Sequence, residues 1–157
     1  MITVGKKIPA FSLPMSDGTP WKTTDALDKA NSGNLVLYFY PKDMTPGCTL
    51  EGQDFRDLHA AFKRARTTVF GISKDSCERQ ARFRLKEKFP FELLSDEDEK
   101  VCRLFDVIRE KSLYGRKFMG IERSTFLFGA DGKLAREWRK VRVKGHAAEV
   151  LEAAKSL

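Results

Sequence analysis

An α/β fold built on a parallel sheet is predicted by three observations. Residues 35–40 (LVLYFY) and 67–73 (TTVFGIS) are short continuous apolar runs of the kind that form strands buried on both faces. Between them, Phe55, Leu58 and Phe62 recur at helical spacing. A strand, a helix and a strand in that order imply a parallel pair joined by a right-handed crossover.

Upstream, Asp17-Gly18 is a turn signal in a segment expected to add a small hairpin. The first helix begins at Thr45-Pro46, a capping residue followed by the imino acid favoured at the first helical position. A second helix runs from a cap at Asp75 or Ser76 through Phe89, where Pro90 stops it. The brief apolar run FELLSD follows. EDEKVCRLFDVI then sets Val101, Leu104, Phe105 and Ile108 in one stripe, a short helix with acids at its start, where the helix dipole favours them. STFLF, the turn ADGK and LAREWRKV make a hairpin, and HAAEVLEAAKSL makes a terminal helix. This order of elements is that of a thioredoxin-like fold with an N-terminal extension and an inserted helix/strand.

A length of 157 residues with 41% hydrophobic content and 12 Phe supports one buried core, so a single domain over 1–157 is expected. MITVGKKIPAFSL lacks the apolar stretch of a secretion signal, and no run approaches the roughly 18 apolar residues of a membrane span. A soluble cytoplasmic protein with no membrane partner is therefore expected. Three cysteines without a secreted spacing read as reduced or redox-active thiols. The net charge of +7 raises nucleic-acid binding as a function class. Alternation in AREWRKVRVK places Arg136, Trp138, Lys140, Arg142 and Lys144 on one strand face, but no nucleic-acid motif accompanies it, so this reads as a solvated face. His59 and His146 are isolated and the cysteines scattered, so no metal or other cofactor is expected.

Cys48 is placed differently from a packing cysteine. A free thiol, with a pKa of ~8.5, is mostly protonated at neutral pH, so thiol chemistry needs surroundings that favour the thiolate. With Thr45 as cap, Cys48 is the third residue of the helix, inside the turn whose free N–H groups and positive dipole end stabilise an anion. The strand at 35–40 delivers that turn to the carboxyl edge of the sheet, where such folds bind ligands. Gly47 removes a side chain that would crowd an approaching substrate. Position 45 is Thr, so the CxxC pair of a thioredoxin is absent.

The segment from Pro41 to Cys48, PKDMTPGC, resembles the peroxiredoxin pattern PxxxTxxC, and PKDxTPGCTxE is similar to the bacterioferritin comigratory protein or Q-type branch. GIERSTF at 120–126 resembles that branch's second motif, and the likeness extends over nearly the whole chain. It implies a thiol-dependent peroxidase, an antioxidant oxidoreductase that reduces hydrogen peroxide and organic hydroperoxides and is recycled by thioredoxin or another thiol, often as a monomer. It also implies roles. Cys48 would attack the peroxide and become a sulfenic acid. Arg123 would stabilise the thiolate and orient the peroxide. Thr45 would offer its hydroxyl, Pro41 would shield the sulfenic acid, and Glu51 would support the site's hydrogen bonds.

The cycle needs a second thiol to condense with the sulfenic acid. Relatives carry it five residues after the first cysteine or on the next helix, where this sequence has Gln53 and Arg84. Cys77 is the candidate substitute: it lies two helical turns before Arg84 on the same face, and adjacent parallel strands bring the starts of both helices to one sheet edge. A structural reading stands beside it, because Cys77, Ala81 and Leu85 form an i, i+4, i+8 row that could pack inward. Cys102 adjoins the apolar stripe and reads as core. Two alternatives stay open at this point: a one-cysteine peroxidase reduced by an external thiol, and a non-enzymatic basic binding protein or holdase.

Overall fold

The structure, a computed structural model, describes residues 2–26 and 33–157. Its centre is a five-stranded sheet in the order β5-β4-β3-β8-β9, formed by β3 (Asn34–Phe39), β4 (Thr67–Ser73), β5 (Glu92–Ser95), β8 (Ser124–Phe128) and β9 (Leu134–Trp138). The first three strands run parallel, and β8 and β9 return antiparallel. Alternation along β3 sends Leu35, Leu37 and Phe39 into one core and Val36 and Tyr38 into another, one on each face. The first core holds α5 (Lys100–Leu104) and residues of the N-terminal segment. The second holds α2 (Pro46–Asp57), α3 (His59–Arg64), α4 (Cys77–Glu87) and α6 (His146–Lys155). This is the thioredoxin-like α/β arrangement that the pattern of elements predicts.

The turn at Asp17-Gly18 joins β1 (Ser12–Pro14) to β2 (Pro20–Lys22), followed by one helical turn, α1 (Thr23–Ala26). Asp17 Oδ1 accepts from the Thr19 amide (2.9 Å), so the acid shapes the turn itself. The N-terminal segment then reaches both outer strands of the main sheet. Gly5 N–H donates to Leu134 O and Leu134 N–H to Lys6 O (both 2.8 Å) at β9, while Met15 bridges to Leu94 of β5.

Several sequence expectations need correction. The helix after Cys48 is not continuous through Phe62; it breaks at Leu58, and the re-aimed turn lets Phe55 and Phe62 both reach the sheet with ring centroids 5.7 Å apart. The second helix starts after a Ser76 cap, whose Oγ accepts from Arg79 N (3.2 Å), and ends at Glu87. Lys88 turns left-handed (φ 56) so that Phe89 can lie on Gly52, where an added Cβ would come within 2.3 Å of the ring. The row Cys77, Ala81, Leu85 does not pack inward: Leu85 is 82% exposed, and α4 buries Gln80 and Phe83 instead. The basic strand face also dissolves, because β9 stops at Trp138 and Lys140 takes φ 49. Only Arg136 and Trp138 stay together, stacked at 4.6 Å, while Lys140, Arg142 and Lys144 lie beyond the strand.

Ile108 is not helical but opens β6 (Ile108–Leu113), which pairs with β7 (Arg116–Ile121) across Tyr114-Gly115, both with positive φ. This second hairpin went unread in the sequence. The Asp96 carboxylate accepts from Val101 N (3.2 Å) and Cys102 N (2.7 Å), satisfying two free amides in the first turn of α5. Phe105, just after α5, packs against Phe11, Phe39, Phe126 and Phe128 with centroids 4.9–6.3 Å away. Phe105→Ala is expected to destabilise the fold by about 3–5 kcal/mol, read as a lower urea midpoint at unchanged slope.

Candidate active site

The site is assembled where β3 hands over to α2. Tyr40 continues the parallel ladder by donating to Ile72 O (3.0 Å), and a left-handed turn at Met44 (φ 63) brings the chain into the helix. Thr45 holds the cap position with extended backbone (φ −87, ψ 154), but its side chain does not cap: Oγ1 donates to Lys42 O (2.8 Å). The first helical bond of the turn is Thr49 N to Thr45 O (2.9 Å), so the amides of Gly47 and Cys48 precede the ladder.

Arg123, in the short link between β7 and β8, lies across this turn. Its Nη2 donates to Cys48 Sγ (3.4 Å) and its Nη1 to Glu51 Oε1 (2.6 Å). A Cβ at Gly47 would stand 3.2 Å from Nη2, so the glycine makes room for the guanidinium. Cys48 and Glu51 are buried. Burial pushes the Glu51 carboxyl up to about 7 against the pull of Arg123. Burial also works against the Arg123 charge, but Glu51 and Cys48 outweigh it and hold its pKa above the ordinary value.

Of the residues singled out in the sequence, the structure thus brings Cys48, Arg123, Glu51 and Gly47 into direct contact or close approach. Pro41 opens the same loop, half-buried. Cys77 is the first residue of α4, half-exposed, with its helix following the strand adjacent to β3. Cys102 is fully buried in the core that lies against the opposite face of the sheet from Cys48. Burial, and then Asp96, push its thiol pKa far up, so it is inert packing. All three thiols are free.

Residues 4–137 match the model of the AhpC/TSA family. The chain is 46% identical to peroxiredoxin Bcp of Bacillus subtilis over 99% of its own length and 97% of the relative's. It is 49% identical to peroxiredoxin Bcp of Xanthomonas campestris, covering 93% and 90%. The chain belongs to the AhpC/TSA family, as a Bcp-type peroxiredoxin. Among solved structures, a cysteine-to-serine variant of Xylella fastidiosa PrxQ superposes with a TM-score of 0.91 at 40% identity, over 99% of this chain and 97% of that one. The Xanthomonas campestris bacterioferritin comigratory protein, studied as trapped intermediate and ligand complexes for its alkyl peroxide reduction activity, gives 0.87 at 45% identity, with 98% of each chain covered.

In this peroxiredoxin the two positions expected to carry a second sulfur have other work. Gln53 Nε2 donates to Glu87 Oε1 (2.8 Å), tying α2 to α4. Arg84 pairs with Glu92 (2.9 Å), tying α4 to β5. Sequence reasoning missed two further groups at the site. Lys111 of β6 stands close enough for its charge to be felt: burial and Arg123 lower its pKa while Cys48 pulls it up. Asp43 is buried and accepts from the Tyr40 hydroxyl (2.6 Å). Asp43 sits inside the PKD motif, but an acid that is buried looks no different in sequence from one that is solvated.

Proposed function

We propose that this peroxiredoxin reduces hydrogen peroxide and organic hydroperoxides through Cys48, resolves the product with Cys77, and is recycled by thioredoxin or another dithiol. The observation that carries the reading is the Arg123 fork, which touches Cys48 Sγ with one nitrogen and the buried Glu51 with the other. A guanidinium fixed at the sulfur favours the thiolate and offers donors to a peroxide arriving beside it. The amides of Gly47 and Cys48, at the positive end of α2, add to the same field. Pro41 and Thr45 border the approach. The Xanthomonas relative's alkyl peroxide reduction activity supports organic hydroperoxides as substrates.

In the first step the Cys48 thiolate attacks the terminal peroxide oxygen, the O–O bond breaks, and the departing alkoxide takes a proton to leave as an alcohol, or as water when the substrate is hydrogen peroxide. Cys48 becomes a sulfenic acid. The Cys77 thiol then condenses with it to give a Cys48–Cys77 disulfide and water. A dithiol reductant exchanges with that disulfide, is itself oxidised, and restores both thiols. Exposure of Cys77 at a helix start that follows the strand beside β3 supports this assignment, as does the placement of Cys102 against the far face of the sheet. Local unwinding of a helix start would bring the two cysteines within the ~7 Å between Cα atoms that a disulfide allows.

Non-reducing peptide mapping after one equivalent of peroxide tests the sequence of steps. A Cys48–Cys77 cross-link is expected. A map containing only Cys48 sulfenic acid would replace Cys77 by an external thiol, and oxidation that spares Cys48 would overturn the peroxidase site altogether.

A further inference from the structure

The loop that carries Pro41 and Thr45 is fastened to the first turn of α4 by side chains that peroxide attack does not use. Asp43 is wholly buried; Oδ1 accepts from Tyr40, and Oδ2 has no hydrogen-bond donor. Its backbone N–H donates to Asp75 Oδ2 (2.8 Å), Asp75 pairs with Arg79 (3.2 Å), and Arg79 Nη2 donates back to Asp43 O (3.2 Å). The Asp75 carboxylate, held on the Asp43 backbone N–H, also stands near enough to the Asp43 carboxyl for its charge to act on it. A buried acceptor without a donor, facing a second carboxylate, is satisfied when one proton lies between the two. Cys77 stands between Asp75 and Arg79 in the chain, so whatever frees those two frees the thiol.

We propose that Asp43 is a positioning residue for the resolving step: its carboxyl, paired with that of Asp75, latches the Cys48 loop to the first turn of α4 and holds Cys77 back until the pair separates. The proposal rests on Cys77 being the resolving thiol. With the proton in place, an O–H···O⁻ bond closes the latch. Without it, two negative charges face each other in a dry site, offset in part by Arg79.

The titratable groups bearing on Asp43 are Tyr40 and Tyr38 from β3 and its end, Asp75 from the β4–α4 link and Arg79 from α4. Burial keeps both tyrosines neutral by raising their pKa values well above the usual one. Burial first, then Asp75, push Asp43 up to about 7, against the Tyr40 hydrogen bond and Arg79. An acid with a raised folded pKa stabilises the closed form at low pH and loses that contribution as pH rises toward the folded value. The latch therefore weakens as pH climbs toward about 7 and has lost the proton's contribution above it.

Hydrogen exchange at the amides of Arg79 and Gln80 in the reduced protein reads the latch directly, since both bond to Ser76. After correction for base-catalysed exchange, protection is expected to fall about tenfold between pH 6 and 8, the factor of a single linked proton across one pH unit. Asp43→Asn, whose amide donates to Asp75 at every pH, is expected to keep the low-pH protection throughout. Flat protection in the wild type, or loss of protection at every pH in Asp43→Asn, would overturn the latch. In a second arm, Cys48–Cys77 disulfide formation after a peroxide pulse at pH 8 should slow about tenfold in Asp43→Asn. An equal rate in variant and wild type would overturn the positioning role. If exchange follows the expected pattern but the wild type forms no Cys48–Cys77 disulfide, the resolving assignment of Cys77 is what fails, and with it the positioning role, while the latch stands.

Discussion

Cys48→Ser is expected to lower peroxide consumption by roughly 10³-fold or more while shifting the unfolding free energy by no more than about 1 kcal/mol. Serine keeps the shape of the buried position and can still accept a hydrogen bond from Arg123. It loses the two properties that attack on an O–O bond needs: an anion reachable near neutral pH and a polarisable, strongly nucleophilic atom. The pairing of these two measurements is what gives the variant its force. A large loss of rate with an intact fold assigns the chemistry to the sulfur, whereas a wild-type rate would move the activity elsewhere and restore the reading of a basic binding protein or holdase.

Arg123→Lys is expected to lower kcat/KM for peroxide by about 10²-fold, although it conserves charge. The arginine serves two acceptors with two nitrogens at once, Cys48 Sγ at 3.4 Å and Glu51 Oε1 at 2.6 Å. An ammonium is a single point of charge on a flexible stem and would settle on one of them. Settled on Glu51, it leaves the sulfur without its donor. Settled on the sulfur, it leaves a buried carboxylate unpaired, and that carboxyl, already pushed up to about 7 by burial, would take up a proton. Stopped-flow competition for peroxide measures the attack step alone; an unchanged rate constant in Arg123→Lys would show that charge suffices and that the fork is incidental.

The parallel core and the position of Cys48 were legible in the sequence because they are written in local signals. Strands β3 and β4 are unbroken apolar runs, and Thr45-Pro46 marks a helix start whatever the rest of the chain does. The hairpin of β6 and β7 was not legible, because IREKSL and RKFMGI are largely exposed and charged, and their one strong signal, Tyr114-Gly115, is not among the usual Asn-Gly or Asp-Gly turns. The strand face from Arg136 to Lys144 failed for a different reason. Alternation in sequence cannot announce that Arg139 will fold back to donate to Phe105 O and Asp106 O, which ends the strand. At the site, the contact of Arg123 with Cys48 spans 75 residues and is visible only through the resemblance of its motif. Asp43 and Asp75 are paired by tertiary structure alone.

The reach of the N-terminal segment to both β9 and β5 bears on how the protein survives crowding by its own kind. Each outer strand of an open sheet presents unpaired amides and carbonyls that another chain can extend, the first step toward aggregation. Here one stretch of chain occupies part of each border, through Gly5 and Lys6 on one side and Met15 on the other. The same residues that look like a mere preamble to the active domain thus act as its selvedge, finishing both margins against unravelling into polymer.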